Sequence, residues 1–181
     1  SRSHMSKSEW KGPWLLVTGA ALFIVACAVK WYYLAQQHYY IRLSDEAFGA
    51  YDFAGAAELG TLLKRIFLSC DYTLGSCRPF FTNLLYILTF NKFGYEPQAA
   101  FTMGILVGSL LIPLYFLAVR ALVNAEVALA ATAILMWMTN YVYQSIALTT
   151  ILPGVLFITG ALLAAIHYHR GGGAGYLYLS G

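Results

Sequence analysis

Charge is what this sequence has least of. Between Val127 and Ile166 there is no Asp, Glu, Lys, Arg or His over 40 residues. Only 10% of the chain is charged and 60% is hydrophobic, against about 25% charged residues in ordinary soluble domains. That scarcity excludes a soluble enzyme. The +3 net charge comes from scattered basic residues rather than a stripe, so nucleic acid is excluded as a partner. Cysteine is sparse too: three residues, none spaced C-x-x-C, which speaks against a zinc site. Ser1-Arg2-Ser3-His4-Met5 reads as a vector-derived remnant ahead of a native start near Met5.

What remains is long apolar runs. The charge-free stretch is about twice as long as a helix needs to cross the hydrocarbon core, so it reads as two spans joined by a turn. The expectation is an all-α, polytopic transmembrane protein with about four spans. A cytoplasmic N-terminus over 1–12 leads to spans at 13–35, 99–119, 126–143 and 149–168. The turn inside the charge-free run falls between about Asn140 and Pro153, around its most polar and aromatic stretch, Thr139 to Ser145. Residues 169–181 form a link and the start of a fifth helix that the chain end cuts off, which reads as a truncated protein.

In the first span Ile24-Val25-Ala26-Cys27-Ala28 resembles a small-residue cleavage site, but the apolar run continues through Trp31-Tyr32-Tyr33. An uncleaved anchor is the expectation. Lys30, its one charge, is expected to snorkel to the interface beside that aromatic belt. In the second span Gly104 and Gly108 have the small-xxx-small spacing of close helix packing. With Gly160, they read as surfaces for absent partner helices. Lys7, Lys11, Arg120 and Arg170 all fall on one face if there are four spans, and the positive-inside rule makes that face cytoplasmic.

The loop at 36–98 then lies outside. Leu59, Leu62, Leu63, Ile66 and Phe67 share one helical face, with Glu58, Lys64 and Arg65 off it, which predicts an amphipathic juxtamembrane helix. Cys70 and Cys77, on an oxidising outer side with six residues between them, are expected to form a disulfide. Residues 79–93 read as a helix in or dipping into the outer interface, since a span there would put Arg120 outside.

Asp45-Glu46-Ala47-Phe48 after the first span, Arg78-Pro79-Phe80-Phe81 through Phe93-Gly94-Tyr95-Glu96, and a span ending at Arg120 form an ordered series. This series resembles GT-C type glycosyltransferases, polytopic enzymes that take sugars from polyprenyl-phosphate carriers. The paired third and fourth spans with a Tyr-containing outer turn, at Thr139–Leu148, are similar as well. The resemblance implies the N-terminal portion of such an enzyme in an inner (plasma) membrane. Its partners would be membrane lipid, a polyprenyl-phosphate sugar donor, and the remaining C-terminal part of the protein or a partner subunit.

Asp45 and Glu46 would then be catalytic, because glycosyl transfer needs a carboxylate to take the acceptor proton and face the developing anomeric charge. Arg78, Lys64 and Arg65 would meet the leaving phosphate, and Tyr143 and Gln144 would line the sugar pocket. Several family branches carry a further acid after the third span, where this chain has Gln144, Thr149 and Thr150. No second acidic motif supports a divalent metal, and no cofactor is assigned.

Plainer readings stand beside these. Asp45 and Glu46 suit a helix N-terminus as caps, the three cations suit lipid headgroups, and Tyr143 and Gln144 suit a turn. His167 and His169 point different ways on a helix. The rival class is a non-catalytic membrane scaffold, sensor or transporter fragment. A transporter is expected to carry charges or broken helices near the bilayer midplane, and these runs show almost none.

Overall fold

A computed structural model describes residues 13–36, 80–94, 96–147, 149 and 151–170. Asp45, Glu46, Lys64, Arg65, Cys70, Cys77 and Arg78 lie outside the described residues, as do the amphipathic helix expected near 59–67 and the start of a fifth helix.

The described residues form six helices: α1 (Pro13–Gln36), α2 (Phe80–Phe93), α3 (Pro97–Leu122), α4 (Ala125–Trp137), α5 (Thr139–Ile146) and α6 (Ile151–His169). Three of them, α1, α3 and α6, are long and apolar enough to cross a membrane. The pair α4 and α5 makes a fourth crossing if it is counted as one span. Their outward faces are apolar, with Leu16 77% and Ile158 70% exposed, a surface that water would penalise and lipid accepts. The chain is a helical membrane protein.

Local chemistry sets the helix ends. Proline begins α1 and α3, where its missing N–H costs nothing because the first-turn donors are unpaired anyway. Gly94 closes α2 with φ 85°, a conformation that glycine adopts without penalty. Its N–H donates to the Phe90 carbonyl at 3.0 Å. Asn124 caps α4, its Oδ1 accepting from the Val127 N–H at 2.8 Å.

Helix α3 is the hub, packed against each of the other five. Lipid is as apolar as leucine, so apolar burial alone does not draw helices together inside a bilayer. Close approach does. At Gly108 an added Cβ would lie 2.5 Å from the Ser145 Cβ, and at Gly104 it would run into the backbone carbonyl of Ile146. These glycines seat α5. Gly104 and Gly108 are therefore covered from within the chain, a correction to their reading as surfaces for absent partners. Gly160 has nothing within 4 Å of its Cβ position.

The expected third span, 126–143, is not one helix. It breaks at Met138, and α5 leaves at 65° to α4. Met138 is extended (φ −66°, ψ 111°) and caps both helices, ending α4 and opening α5. Neither Pro nor Gly stands at the break. What holds it is α5's seat across Gly104 and Gly108. Helix continues to Ile146 and resumes at Ile151, so the reversal of the charge-free run falls between them, in the latter part of its expected range.

Helices α3 and α6 run in the same direction. The Arg170 guanidinium, after α6, donates to the Ala121 carbonyl at the end of α3. Leu152, near the start of α6, lies 3.3 Å from the Cβ position of Gly108. Helix α2 packs on α3 through Tyr86 and Phe90, stacked with centroids 5.9 Å apart. Both join a cluster with Ala100, Leu111 and Leu152. The Tyr86 hydroxyl donates to the Ala147 carbonyl at 2.7 Å, tying α2 to the turn between α5 and α6.

Candidate functional site

The most polar point of the described core lies where α1, α3 and α5 meet. Lys30 is 1% exposed. It does not snorkel. Its ammonium turns inward and donates to Ser109 Oγ at 3.2 Å and to the Tyr141 hydroxyl at 3.4 Å. It also sits 4.7 Å from the centre of the Tyr141 ring, within cation–π range. A lone lysine reads as snorkelling because hydropathy gives its depth in the membrane but not the direction in which its side chain points. The small face of α3 lets it turn inward instead.

Each partner is itself fixed. The Tyr141 hydroxyl donates to the Gly108 carbonyl, so it meets Lys30 with a lone pair. Ser145 Oγ donates to the Tyr141 carbonyl at 2.7 Å, and its side chain lies over Gly108. Pro113, inside α3, has no N–H to return to the carbonyl of Ser109 four residues earlier. The ammonium is thus surrounded by neutral oxygens and a π face. The only carboxylates among the described residues, Glu96 and Glu126, are exposed. Cys27, one turn before Lys30, is a half-buried free thiol packed near Ile105 and Val142.

A second polar point surrounds the Tyr86–Ala147 hydrogen bond. Thr82, one turn before Tyr86 on α2, is fully buried with no partner for its hydroxyl, and the Thr149 hydroxyl is also unpartnered. The same holds for Thr132 on α4. Thr89 is buried but satisfied by the Leu85 carbonyl at 2.7 Å.

Of the residues expected to line a sugar pocket, Tyr143 and Gln144 are described. Both are half-buried on α5. Their carbonyls accept from Ala147 and Thr149 in the turn toward α6. The α5 side chain that reaches the buried cation is Tyr141. The sequence reading missed Lys30, Ser109 and Tyr141 as a group. The available signal was a single charge inside an apolar run, with a serine and a tyrosine in two other apolar runs. His167 and His169 are exposed at the end of α6. Among the described residues, no three His, Cys, Asp or Glu side chains gather as metal ligands.

No protein-family model, no curated protein and no solved structure matches the chain.

Such an arrangement has a definite chemical capacity. An ammonium held in a low-dielectric interior by neutral acceptors attracts an anion far more strongly than a surface lysine does. The shared tyrosine also links its position to the seat of α5.

Proposed function

We propose that this chain is the N-terminal membrane part of a glycosyltransferase. It would move a sugar from a polyprenyl-phosphate carrier to an acceptor on the outer, periplasmic or lumenal, face of an inner membrane, with its N-terminus cytoplasmic. The observation that supports this most is the helix following Pro79. It runs from Phe80 to Phe93, closes on Gly94 and is bonded through Tyr86 to the turn after α5. In the resembled family that landmark helix follows an acidic pair, here Asp45 and Glu46. Under this reading Asp45 takes the acceptor proton, with Glu46 beside it. Arg78, Lys64 and Arg65 face the leaving phosphate, and Tyr143 and Gln144 contact the sugar. The rest of the enzyme, or a partner subunit, covers the apolar faces of α1 and α6.

The test is transfer from a lipid-linked sugar by the full-length protein carrying Asp45→Asn. Asparagine keeps size and capping ability but not basicity, so the rate falls ~10²–10⁴-fold while the melting temperature holds. Near-normal turnover in a folded variant defeats the assignment.

One observation favours a second reading, a transporter fragment. A broken helix and a buried charge were the features expected of one, and α4–α5 with Lys30 supply both. In proteoliposomes a transporter would dissipate an imposed pH gradient faster than its Lys30→Met variant. Equal leak in the two removes this alternative.

A further inference from the structure

We propose that α5 is a lid over Lys30, closing by docking on Gly104 and Gly108 and opening by swinging into line with α4. The inference goes beyond sugar transfer and does not depend on it.

Nothing local requires the break at Met138. Helices kink at proline, at glycine and serine pairs, at π-bulges or around an inserted group. Trp137-Met138-Thr139 supplies no proline, glycine or serine, and methionine is among the better helix formers. The Met138 φ of −66° already has the helical value. Only its ψ, at 111°, stands apart from the about −42° of a helix. One backbone torsion thus separates the bent pair from a continuous helix over residues 125–146. That helix would rise ~33 Å at ~1.5 Å per residue, enough to cross the hydrocarbon core.

Backbone chemistry favours the straight form. In it the N–H groups of Thr139, Asn140 and Tyr141 donate to the carbonyls of Leu135, Met136 and Trp137. With Met138 extended they are instead the first-turn donors of α5, and no side-chain cap serves them. A membrane makes the loss of such helix bonds costly. Packing favours the bent form. Ser145 and Ile146 close on Gly108 and Gly104, and the Tyr141 hydroxyl donates to the Gly108 carbonyl. Just past α5, the Tyr86 hydroxyl donates to the Ala147 carbonyl at 2.7 Å. Two opposed preferences across one torsion make two discrete positions rather than a continuum.

The arm that moves is α5. Helix α4 is the longer piece and keeps Ala128, Thr132 and Met136 buried in the bundle. When α5 swings, Tyr141 leaves with it, and Ser109 stays with Lys30. The lysine, 1% exposed beneath the closed lid, is then uncovered.

The test reads the lid through Lys30. The full chain in maltoside micelles is treated with N-hydroxysuccinimidyl acetate. Acetylation at Lys30 is followed by mass spectrometry, with the melting temperature recorded in parallel. Thr139→Pro locks the lid shut. Thr139 is exposed and opens α5, where proline needs no N–H partner. A proline there keeps Met138 extended and forbids the continuous helix, so acetylation should slow roughly 10-fold or more. Gly108→Val fills the seat and should speed acetylation roughly 5- to 100-fold, the weight of overpacking. In the double variant proline cancels that acceleration, because the route by which valine opens the lid is closed. Acetylation of Thr139→Pro at the wild-type rate overturns the proposal. So does a Thr139→Pro chain that melts well below wild type, since the closed form admits proline there. A double variant as reactive as Gly108→Val alone shows general loosening and overturns it too. If Gly108→Val does not fold, Thr139→Pro against wild type decides.

Discussion

Two glycine pairs divide this molecule. On α3, Gly104 and Gly108 are pressed against the backbone and side chains of α5, with no room for one more carbon. On α6, Gly154 and Gly160 have open space at their Cβ positions. Around the first pair lie a buried lysine, a tyrosine bonded to a glycine carbonyl and a broken helix. Around the second lie exposed Val155, Phe157 and Ile158. Glycine in an apolar helix is thus not one signal. On α3 it permits contact that makes a polar interior possible, while on α6 it only loosens a lipid-facing helix.

Substitution by alanine breaks this comparison most directly, because the two pairs respond with opposite sign. Gly104→Ala drives a methyl into the α5 carbonyls and costs about 1–3 kcal/mol of overpacking. The melting temperature in micelles should fall accordingly. Gly160→Ala meets nothing and lowers the entropy of the unfolded chain, so it should raise stability by about 0.4–1 kcal/mol. Equal effects at the two positions would show that α5 is not seated on α3 as described.

The two tyrosines bonded to backbone carbonyls, Tyr86 buried and Tyr141 half-buried, sharpen the comparison. Tyr141→Phe strips a partner from both the Gly108 carbonyl and Lys30. Tyr86→Phe takes the hydroxyl partner from the Ala147 carbonyl. Each loss of a buried partner costs about 1–3 kcal/mol, with Tyr141→Phe the larger because it also deprives a charge. A greater loss at Tyr86 would move the stabilising centre from α5 to α2. The smallest loss of stability belongs to the start of α4, far from either region. Asn124→Ala removes the cap of α4 for about 1 kcal/mol, visible as a small drop in melting temperature.

Much of the fold is legible in the sequence, because it is written in what the residues avoid. Absence of charge places α1, α3 and α6 close to their observed ends, and Pro97 and Gly94 mark a start and a stop by backbone chemistry alone. The break at Met138 is not legible. Hydropathy reports the solvent that a segment tolerates, and α4 and α5 tolerate the same one. Trp137, Met138 and Thr139 carry no proline or glycine to signal a bend, and its cause lies some 30 residues upstream in Gly104 and Gly108. The buried site failed for a related reason. Lys30, Ser109 and Tyr141 come from three separate runs, and only packing brings them to one point.

The bend also decides how far the chain climbs before α6 begins. Thirteen residues of α4 followed by eight of α5 would rise ~32 Å if collinear at ~1.5 Å per residue. Turned by 65°, the second piece adds only ~5 Å to the first, for ~25 Å. The chain therefore turns back early, and α6 begins opposite Gly108 rather than opposite the start of α3. The first turns of α3 are left without a long neighbour on that flank. Helix α2 occupies the vacated berth, laying Tyr86 and Phe90 along Ala100, Met103 and Val107. A short helix from a distant loop is thus admitted to the bundle because another helix stops short.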